Sequence, residues 1–345
     1  MDGCESIPVH QLWAWWKNPV GLLMFETLML FALPYLRLRY GTRILLFRGG
    51  GPAILVAMGL LFARLLGMRI LLECNGIAWD ELRMRGFGRV YQQWTRFSTW
   101  QQATLAHCII GVTPQITAEM IRLARRYPSV GVTVQNGADP DRFSGITSAG
   151  NRKAFGIAKD VFVVGCVGAF SPWHGVVELV EAVRQYKAEM PDPFYLLAVG
   201  DGPLLHQITC QTRGKIGEVI LAGSATPNEI PGFMECFDVG IVFHNAPLIG
   251  KYGMSSLKFW EYAAAGLPVL VREDCNMGDI VRRHNMGYII PNSDPASVVK
   301  ALKEAVLDHK NGNLQRIGKR NRQTIRDNYT WRHAAHLIEE CFLTR

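Results

Sequence analysis

Short apolar runs rich in Ile, Val and Leu alternate along the chain with longer stretches whose apolar positions recur at helical spacing. In the N-terminal half the runs cover residues 43–47, 69–73, 107–112 and 132–135. In the C-terminal half they cover 162–167, 194–199, 218–221, 239–243, 269–271 and 288–290. Continuous apolar runs, rather than alternating ones, are the mark of strands covered on both faces, as in a parallel sheet flanked by helices. The expected fold class is therefore α/β, with two Rossmann-like, doubly wound parallel-sheet domains. A small, polar, breaker-rich segment at 144–153 places the boundary, giving domains at 1–147 and 148–325. The closing segment 317–343 reads as two amphipathic helices around Asn328-Tyr-Thr-Trp, the last of which (326–345) is expected to pack back on the N-terminal domain. No internal repeat or low-complexity tract is present.

Residues 20–36 form an apolar stretch of 17 residues that contains Glu26 and Pro34. It stands at the short limit for spanning a bilayer and carries a costly carboxylate, so a core helix of the first domain is the expectation. The cluster Trp13, Trp15, Trp16 and Lys17 just before it suits a membrane interface.

Charge changes the picture modestly. The 345 residues carry a net charge of +8, and residues 1–150 hold 15 Lys/Arg against 9 Asp/Glu, compared with 22 against 20 in the rest. No basic run has the aromatic interleaving of a nucleic-acid module, so nucleic acid is not expected as a partner, whereas an anionic membrane or a phosphorylated substrate is. The eight cysteines form no C-x-x-C pair and no zinc spacing, and read as buried free thiols in a reducing cytoplasm. The N-terminus lacks the pattern of a secretory signal.

The strongest chemical signal is Ser255-Ser-Leu-Lys-Phe-Trp-Glu-Tyr-Ala-Ala-Ala-Gly-Leu-Pro-Val-Leu270, which joins a small-residue loop, a helix, a glycine stop and a strand. Backbone N–H groups of Gly253, Met254, Ser255 and Ser256, followed by Leu257 at the helix start, would sit at the positive end of the helix dipole, which favours a diphosphate. Lys258 adds charge, and Glu261 lies three residues on, on the same face, where it can accept hydrogen bonds from a ribose. Taken alone, Lys258 and Glu261 read first as an ordinary i,i+3 surface ion pair.

This segment resembles the donor-site motif of glycosyltransferase family 4, in the variant S-P-L-K-x-x-E-Y-M-A-A-G-x-P-V, with Ser256 in place of proline. Val167-Gly-Ala-Phe-Ser-Pro-Trp-His-Gly175 is similar to the family's G-R-L-x-x-x-K-G turn, with Ala169 and His174 in place of Arg and Lys. Val199-Gly-Asp-Gly-Pro203 resembles its G-x-G-P turn, and Gln135-Asn-Gly-Ala-Asp-Pro-Asp-Arg-Phe143 its N-G-V-D-x-x-x-F signature. The resemblance implies the GT-B architecture, two Rossmann-like halves facing a cleft, and a retaining, metal-independent enzyme with no cofactor. Such an enzyme moves a sugar from a nucleoside-diphosphate-sugar donor to a glycan or lipid-linked acceptor. It further implies donor contacts at Gly168, His174, Gly200, Gly202, Ala222 and Gly223 and through the Gly253 to Lys258 segment and Glu261, with Ala222 to Thr226 near the base. Asn75 occupies the slot of a catalytically placed histidine, so Asn75, Lys258 and Glu261 are the expected catalytic set. The implied setting is cell-surface polysaccharide synthesis, in the cytoplasm at the inner membrane face.

Four departures from the family pattern feed a different reading, a non-catalytic or truncated subunit. Gly253 stands eight residues before Glu261, where many members carry a first glutamate; Ala169 replaces a cation; Asn75 stands in the slot of a histidine; and the first strands with their glycine-rich loop are expected to be missing, because Met1 leads almost directly into 20–36. A sugar-nucleotide epimerase on the same fold is a third reading, weakened by the lack of a visible acid/base set.

Overall fold

The computed structural model describes residues 19–53, 55–144, 152–190, 192–212, 218–244 and 247–343. The Trp13 to Lys17 cluster, Cys4 and most of the expected boundary at 144–153 lie outside them. The chain forms two compact units, one comprising residues 1–110 and 119–131, the other 111–118 and 132–345.

The first unit runs α1 (Pro19–Tyr40), β1 (Ile44–Arg48), α2 (Val56–Leu65), β2 (Arg69–Cys74), α3 (Ala78–Met84), α4 (Arg89–Leu105) and β3 (Cys108–Gly111). Then follow α5 (Pro114–Ala124) and β4 (Gly131–Thr133), and the strands stand in the order β1-β2-β3-β4. The expected strands are all present, within a residue or two at their ends. Residues 20–36 belong to α1, which has two unlike faces. Leu33 is buried, and Glu26, also buried, accepts a hydrogen bond from the Leu55 N–H at 2.7 Å, so its carboxylate caps the start of α2 rather than facing lipid. The outer face leaves Met24, Leu28, Phe31, Tyr35 and Leu38 exposed. Among the described residues no helix is long and apolar enough to cross a membrane. The Gly49-Gly-Gly51 loop is no phosphate cradle, because the Gly50 N–H is already bonded to Gln102 Oε1 at 2.9 Å.

The second unit continues with β5 (Phe162–Val167), α6 (Val176–Glu189), β6 (Phe194–Val199), α7 (Leu205–Thr212), β7 (Val219–Gly223), α8 (Ile230–Met234) and β8 (Val239–Val242). It closes with α9 (Pro247–Tyr252), α10 (Leu257–Ala264), β9 (Val269–Arg272), α11 (Asn276–His284), β10 (Gly287–Ile290), α12 (Pro295–Lys310), α13 (Asn313–Asn328) and α14 (Trp331–Leu343). Six parallel strands stand in the order β10-β9-β8-β5-β6-β7. Two apolar clusters cover it, one holding Phe237, Trp260, Tyr262 and Met277, the other Val180, Tyr186, Leu302 and Leu314. Gly165 and Gly240 pair across β5 and β8, and a Cβ on either would strike the ring of Phe237 at 2.0 Å or of Tyr262 at 2.4 Å. That room lets the Tyr262 hydroxyl accept from the Val167 N–H at 2.7 Å, which fixes the end of β5. Among the described residues no cysteine forms a disulfide; five of the seven are buried as expected, Cys166 is partly buried, and Cys210 on α7 is exposed because it lies on the helix's solvent side.

Candidate functional site

The strand order of the second unit contains one reversal: from β5 the chain builds outward through β6 and β7, and then returns to lay β8, β9 and β10 on the other side. Where the order reverses, the loops leaving two neighbouring strands diverge and open a crevice at their C-terminal ends, which is where open α/β sheets take ligands. A cavity of about 90 Å³ occupies that place, lined among others by Gly168 and Ala169 after β5, Phe243 and His244 after β8, and Ser256 and Lys258 at the start of α10.

Each wall has a local cause. Pro172–His174 makes one turn of 3-10 helix ended by Gly175, whose φ of +62° and whose contact with Phe243, 2.4 Å from a would-be Cβ, both require glycine. On the other side Ser256 starts α10, and the first-turn N–H groups of a helix have no partners within it, so they and the helix dipole face the cavity mouth. The loop before them is more committed than the sequence suggests. Gly253 N–H bonds Ile249 O at 2.8 Å, and Met254 N–H bonds Asn276 Oδ1 at 2.6 Å, so neither is offered to a ligand. Ser255 is likewise a brace: its hydroxyl accepts from Asn136 N–H at 2.9 Å and Trp260 Nε1 at 3.2 Å, and its carbonyl accepts from Asn136 Nδ2 at 2.6 Å. The Asn-Gly signature is thus tied to the loop that opens α10.

Lys258 Nζ and Glu261 Oε2 are 2.7 Å apart, and Arg142 Nη1 reaches Glu261 Oε1 at 3.4 Å while its other nitrogen donates to Pro227 O. The side chain of Glu261 is 15% exposed, so this is a half-buried carboxylate between two cations, not an isolated surface pair. Across the cavity the rings of His174 and His244 meet edge to face with centroids 4.8 Å apart. His174 Nδ1 bonds the Ala169 carbonyl. His244 Nδ1 is buried without a hydrogen-bond partner among the described residues, and burial, with the nearby His174 and Arg272, pushes its imidazole down to about 3. Arg272 at the end of β9 donates to His244 O at 2.7 Å and pairs with Asp274. Burial raises the Cys166 thiol in the cavity wall to about 12, which keeps it neutral.

The family model for glycosyl transferases group 1 matches residues 148–324, which is half of the chain and contains this whole cavity. The chain belongs to the group 1 glycosyl transferases. TuaH of Bacillus subtilis strain 168, a glycosyltransferase assigned by its name to teichuronic acid biosynthesis, is 30% identical over 139 residues; the match takes in 40% of this chain and spans a third (33%) of that relative. Among solved structures, Anabaena HepE in complex with UDP superposes with a TM-score of 0.72 at 16% identity, over 95% of this chain and 85% of that one. WaaG, a glycosyltransferase involved in lipopolysaccharide biosynthesis, gives 0.68 at 15% identity, over 97% and 86%. These likenesses establish the fold, two parallel-sheet Rossmann-like units of the GT-B kind.

Of the residues singled out in sequence, the fold brings Gly168, His174, Ser256 and Lys258 to one cavity of this group 1 domain, with Leu257 exposed and Glu261 one helical turn further on. Gly200 and Gly202 meet other demands: a Cβ on Gly200 would lie 1.8 Å from Gly168 O, and one on Gly202 would lie 2.7 Å from Phe170 N. They hold the β5 and β6 loops together. Ala222 and Gly223 end β7, and Gly223 O accepts from the Gly200 N–H at 2.7 Å. Asn75 ends β2, exposed, in the other unit. Sequence reasoning missed Arg142, which sat inside the quoted Asn-Gly signature, and His244, which follows an apolar run immediately and so stands at a strand's C-terminal end. Attention to that position in each run would have found it.

Proposed function

We propose that the chain transfers a sugar from a nucleoside-diphosphate-sugar donor to a glycan or lipid-linked acceptor in cell-surface polysaccharide synthesis, with retention of anomeric configuration and without a metal ion. The carrying observation is the coincidence, at one strand-order reversal, of a cavity, a helix N-terminus and Lys258, with Glu261 paired to Lys258 one helical turn further on. The dipole and Lys258 stabilise charge that grows on the departing diphosphate, an interaction stronger in the transition state than in the ground state. Glu261, held by Lys258 and Arg142, accepts from the ribose diol. HepE, which shares the fold, has been solved with UDP and with UDP-glucose, which makes a uridine donor the first to try.

Calorimetric titration with UDP-, GDP- and ADP-sugars tests the proposal. One donor is expected to saturate, and Glu261→Ala to weaken it by at least about tenfold, the loss of a hydrogen bond to a charged group. A folded wild type that binds none of the three defeats the proposal. With the donor known, proton NMR of the product is expected to show the donor's anomeric configuration, and turnover is expected to survive EDTA.

The acceptor side of the proposal includes an anionic membrane surface. Helices α1, α2 and α4 bear sixteen of the twenty-six large apolar side chains exposed among the described residues, including Phe31, Leu65, Trp94, Phe97 and Trp100. Glu26 is the one acidic residue in these three helices, and it is buried, while Arg37, Arg39, Arg64, Arg89 and Arg96 are cationic. Aromatic and apolar side chains interleaved with arginine, without exposed carboxylates, match an interface of anionic headgroups over acyl chains. Co-sedimentation with vesicles containing phosphatidylglycerol is expected, to be largely lost in Trp94→Ser/Phe97→Ser/Trp100→Ser. Equal binding to purely zwitterionic vesicles would contradict the charge argument.

A further inference from the structure

The second unit has another concave surface, remote from the donor cavity. The inner side of α13 packs on the end of α10, where a Cβ on Gly318 would meet Gly266 O at 2.0 Å, whereas the donor cavity opens at the start of α10. The outer side of α13 bears an open groove of about 400 Å³, with Arg316, Lys319, Arg320, Gln323, Asp327 and Asn328 among its walls. Steps of three and four residues put these side chains in one stripe, and from Arg316 to Asn328 the helix rises about 18 Å. Helix α13 carries five Lys/Arg against a single carboxylate, Asp327. On the neighbouring α12 the cations are matched, Lys303 by Glu189 and Lys310 by Asp192. On α13 they are not: among the described residues Arg316 meets only the Asn313 amide oxygen at 3.4 Å, Arg320 only the Asn285 carbonyl at 2.7 Å, and Lys319 and Arg326 meet no carboxylate. Arg316 and Arg320 stand at i,i+4 and repel each other, so an anion laid along the stripe relieves repulsion as well as adding attraction.

The far half of the groove has a different chemistry. Gln323 Nε2 donates to both oxygens of Asp327, at 2.8 and 3.0 Å, and Asn328 Nδ2 donates to Thr324 O at 3.3 Å. The amide oxygens of Gln323 and Asn328 and the remaining lone pairs of Asp327 are acceptors, which suits hydroxyl groups that donate. Among the described residues no large apolar side chain between Leu307 and Trp331 is exposed, so a lipid surface finds nothing to insert and a nucleic acid nothing for its bases to stack on. An unbroken row of phosphates would meet the Asp327 carboxylate. Anionic groups beside hydroxyl-rich rings match both halves. We infer that this groove binds an acidic glycan, with carboxylate or phosphate substituents on Arg316, Lys319 and Arg320 and sugar hydroxyls on Gln323, Asp327 and Asn328. It holds a charged stretch of the acceptor or product chain outside the donor cavity. The inference rests on the transferase reading above for the presence of a glycan, and adds to it the acidic character of that glycan and a second place where the chain is held.

The test is calorimetry of the full chain with oligogalacturonate, with a phosphorylated malto-oligosaccharide and with its neutral parent. At least one acidic glycan is expected to bind, which also tells carboxylate from phosphate, with an affinity that falls as salt is raised, and the neutral parent to bind at least about tenfold more weakly. Arg316→Gln/Lys319→Gln, which keeps the Arg320 bond to Asn285, is expected to weaken the acidic glycan by about tenfold. Gln323→Ala is expected to weaken it by about threefold and to leave the binding of inorganic polyphosphate unchanged. Both variants are expected to keep wild-type affinity for nucleotide sugar and wild-type sedimentation with phosphatidylglycerol vesicles. Failure of both acidic glycans to bind the folded wild type, or unaltered binding in Arg316→Gln/Lys319→Gln, overturns the inference. So does an equal loss of glycan and polyphosphate in Gln323→Ala, the mark of a mere counterion patch, or a loss of vesicle binding in the double variant, which would make the face a lipid contact. Acidic-glycan binding by a wild type that takes up no nucleotide sugar leaves the groove standing and defeats the transferase reading.

Discussion

Glu261 shows how little a residue's type says about its role until its neighbours are known. In sequence it is half of an i,i+3 pair with Lys258; in the fold Arg142, more than a hundred residues away in the chain, reaches its second oxygen. Arg142→Ala is therefore expected to weaken donor binding, by less than Glu261→Ala does, because Lys258 still orients the carboxylate; equal affinity in Arg142→Ala and wild type would remove Arg142 from the site. His244 carries a stability prediction as well. Its imidazole is held near 3 in the folded chain and titrates near 6.5 when unfolded, so the unfolded state binds the extra proton and stability is lost as pH falls below about 6.5, by up to about 1.4 kcal/mol per unit. Burial lowers His107 and His284 in the same sense. Denaturant midpoints at pH 7.5 and 5.5 are expected to differ less in His244→Leu than in the wild type.

At the scale of elements, the site depends on how closely backbones approach. Helix α13 lies against the end of α10 so tightly that a Cβ on Gly318 would meet Gly266 O at 2.0 Å, and Asn321 ties the two by bonding Leu267 O at 2.9 Å and Met286 O at 2.8 Å. Gly318→Ala is expected to cost about 3 kcal/mol by overpacking, read as a lowered denaturation midpoint, and to shift α10 with it. The strands were legible in sequence because a buried parallel strand is a continuous apolar run; Phe162–Val167 and Phe194–Val199 match residue for residue. Helix faces were less legible. Met24, Leu28, Phe31 and Tyr35 read as core because apolar periodicity alone cannot say whether a stripe meets a neighbour or solvent, and α1 has both kinds of face.

At the scale of the whole molecule, the donor motif was readable because its loop, helix and strand are contiguous in sequence, whereas the walls facing it come from β5, β8 and β9 and depend on strand order. No local pattern encodes that β8 returns beside β5, and with it the meeting of His174 and His244. Asn136-Gly137 falls within the expected first domain, 1–147, yet its contacts lie in the second unit, where Gly137 admits the backbone of Tyr329 and Thr330 and Asn136 holds Ser255. The central claim, that the start of α10 receives a nucleoside diphosphate, is tested most directly by a crystal structure with the nucleotide that calorimetry selects. The account predicts phosphate oxygens within hydrogen-bond distance of the Leu257 or Lys258 N–H groups and a ribose on Glu261. Phosphates bound elsewhere, with the cavity between Gly168, His174 and Lys258 empty, would contradict it.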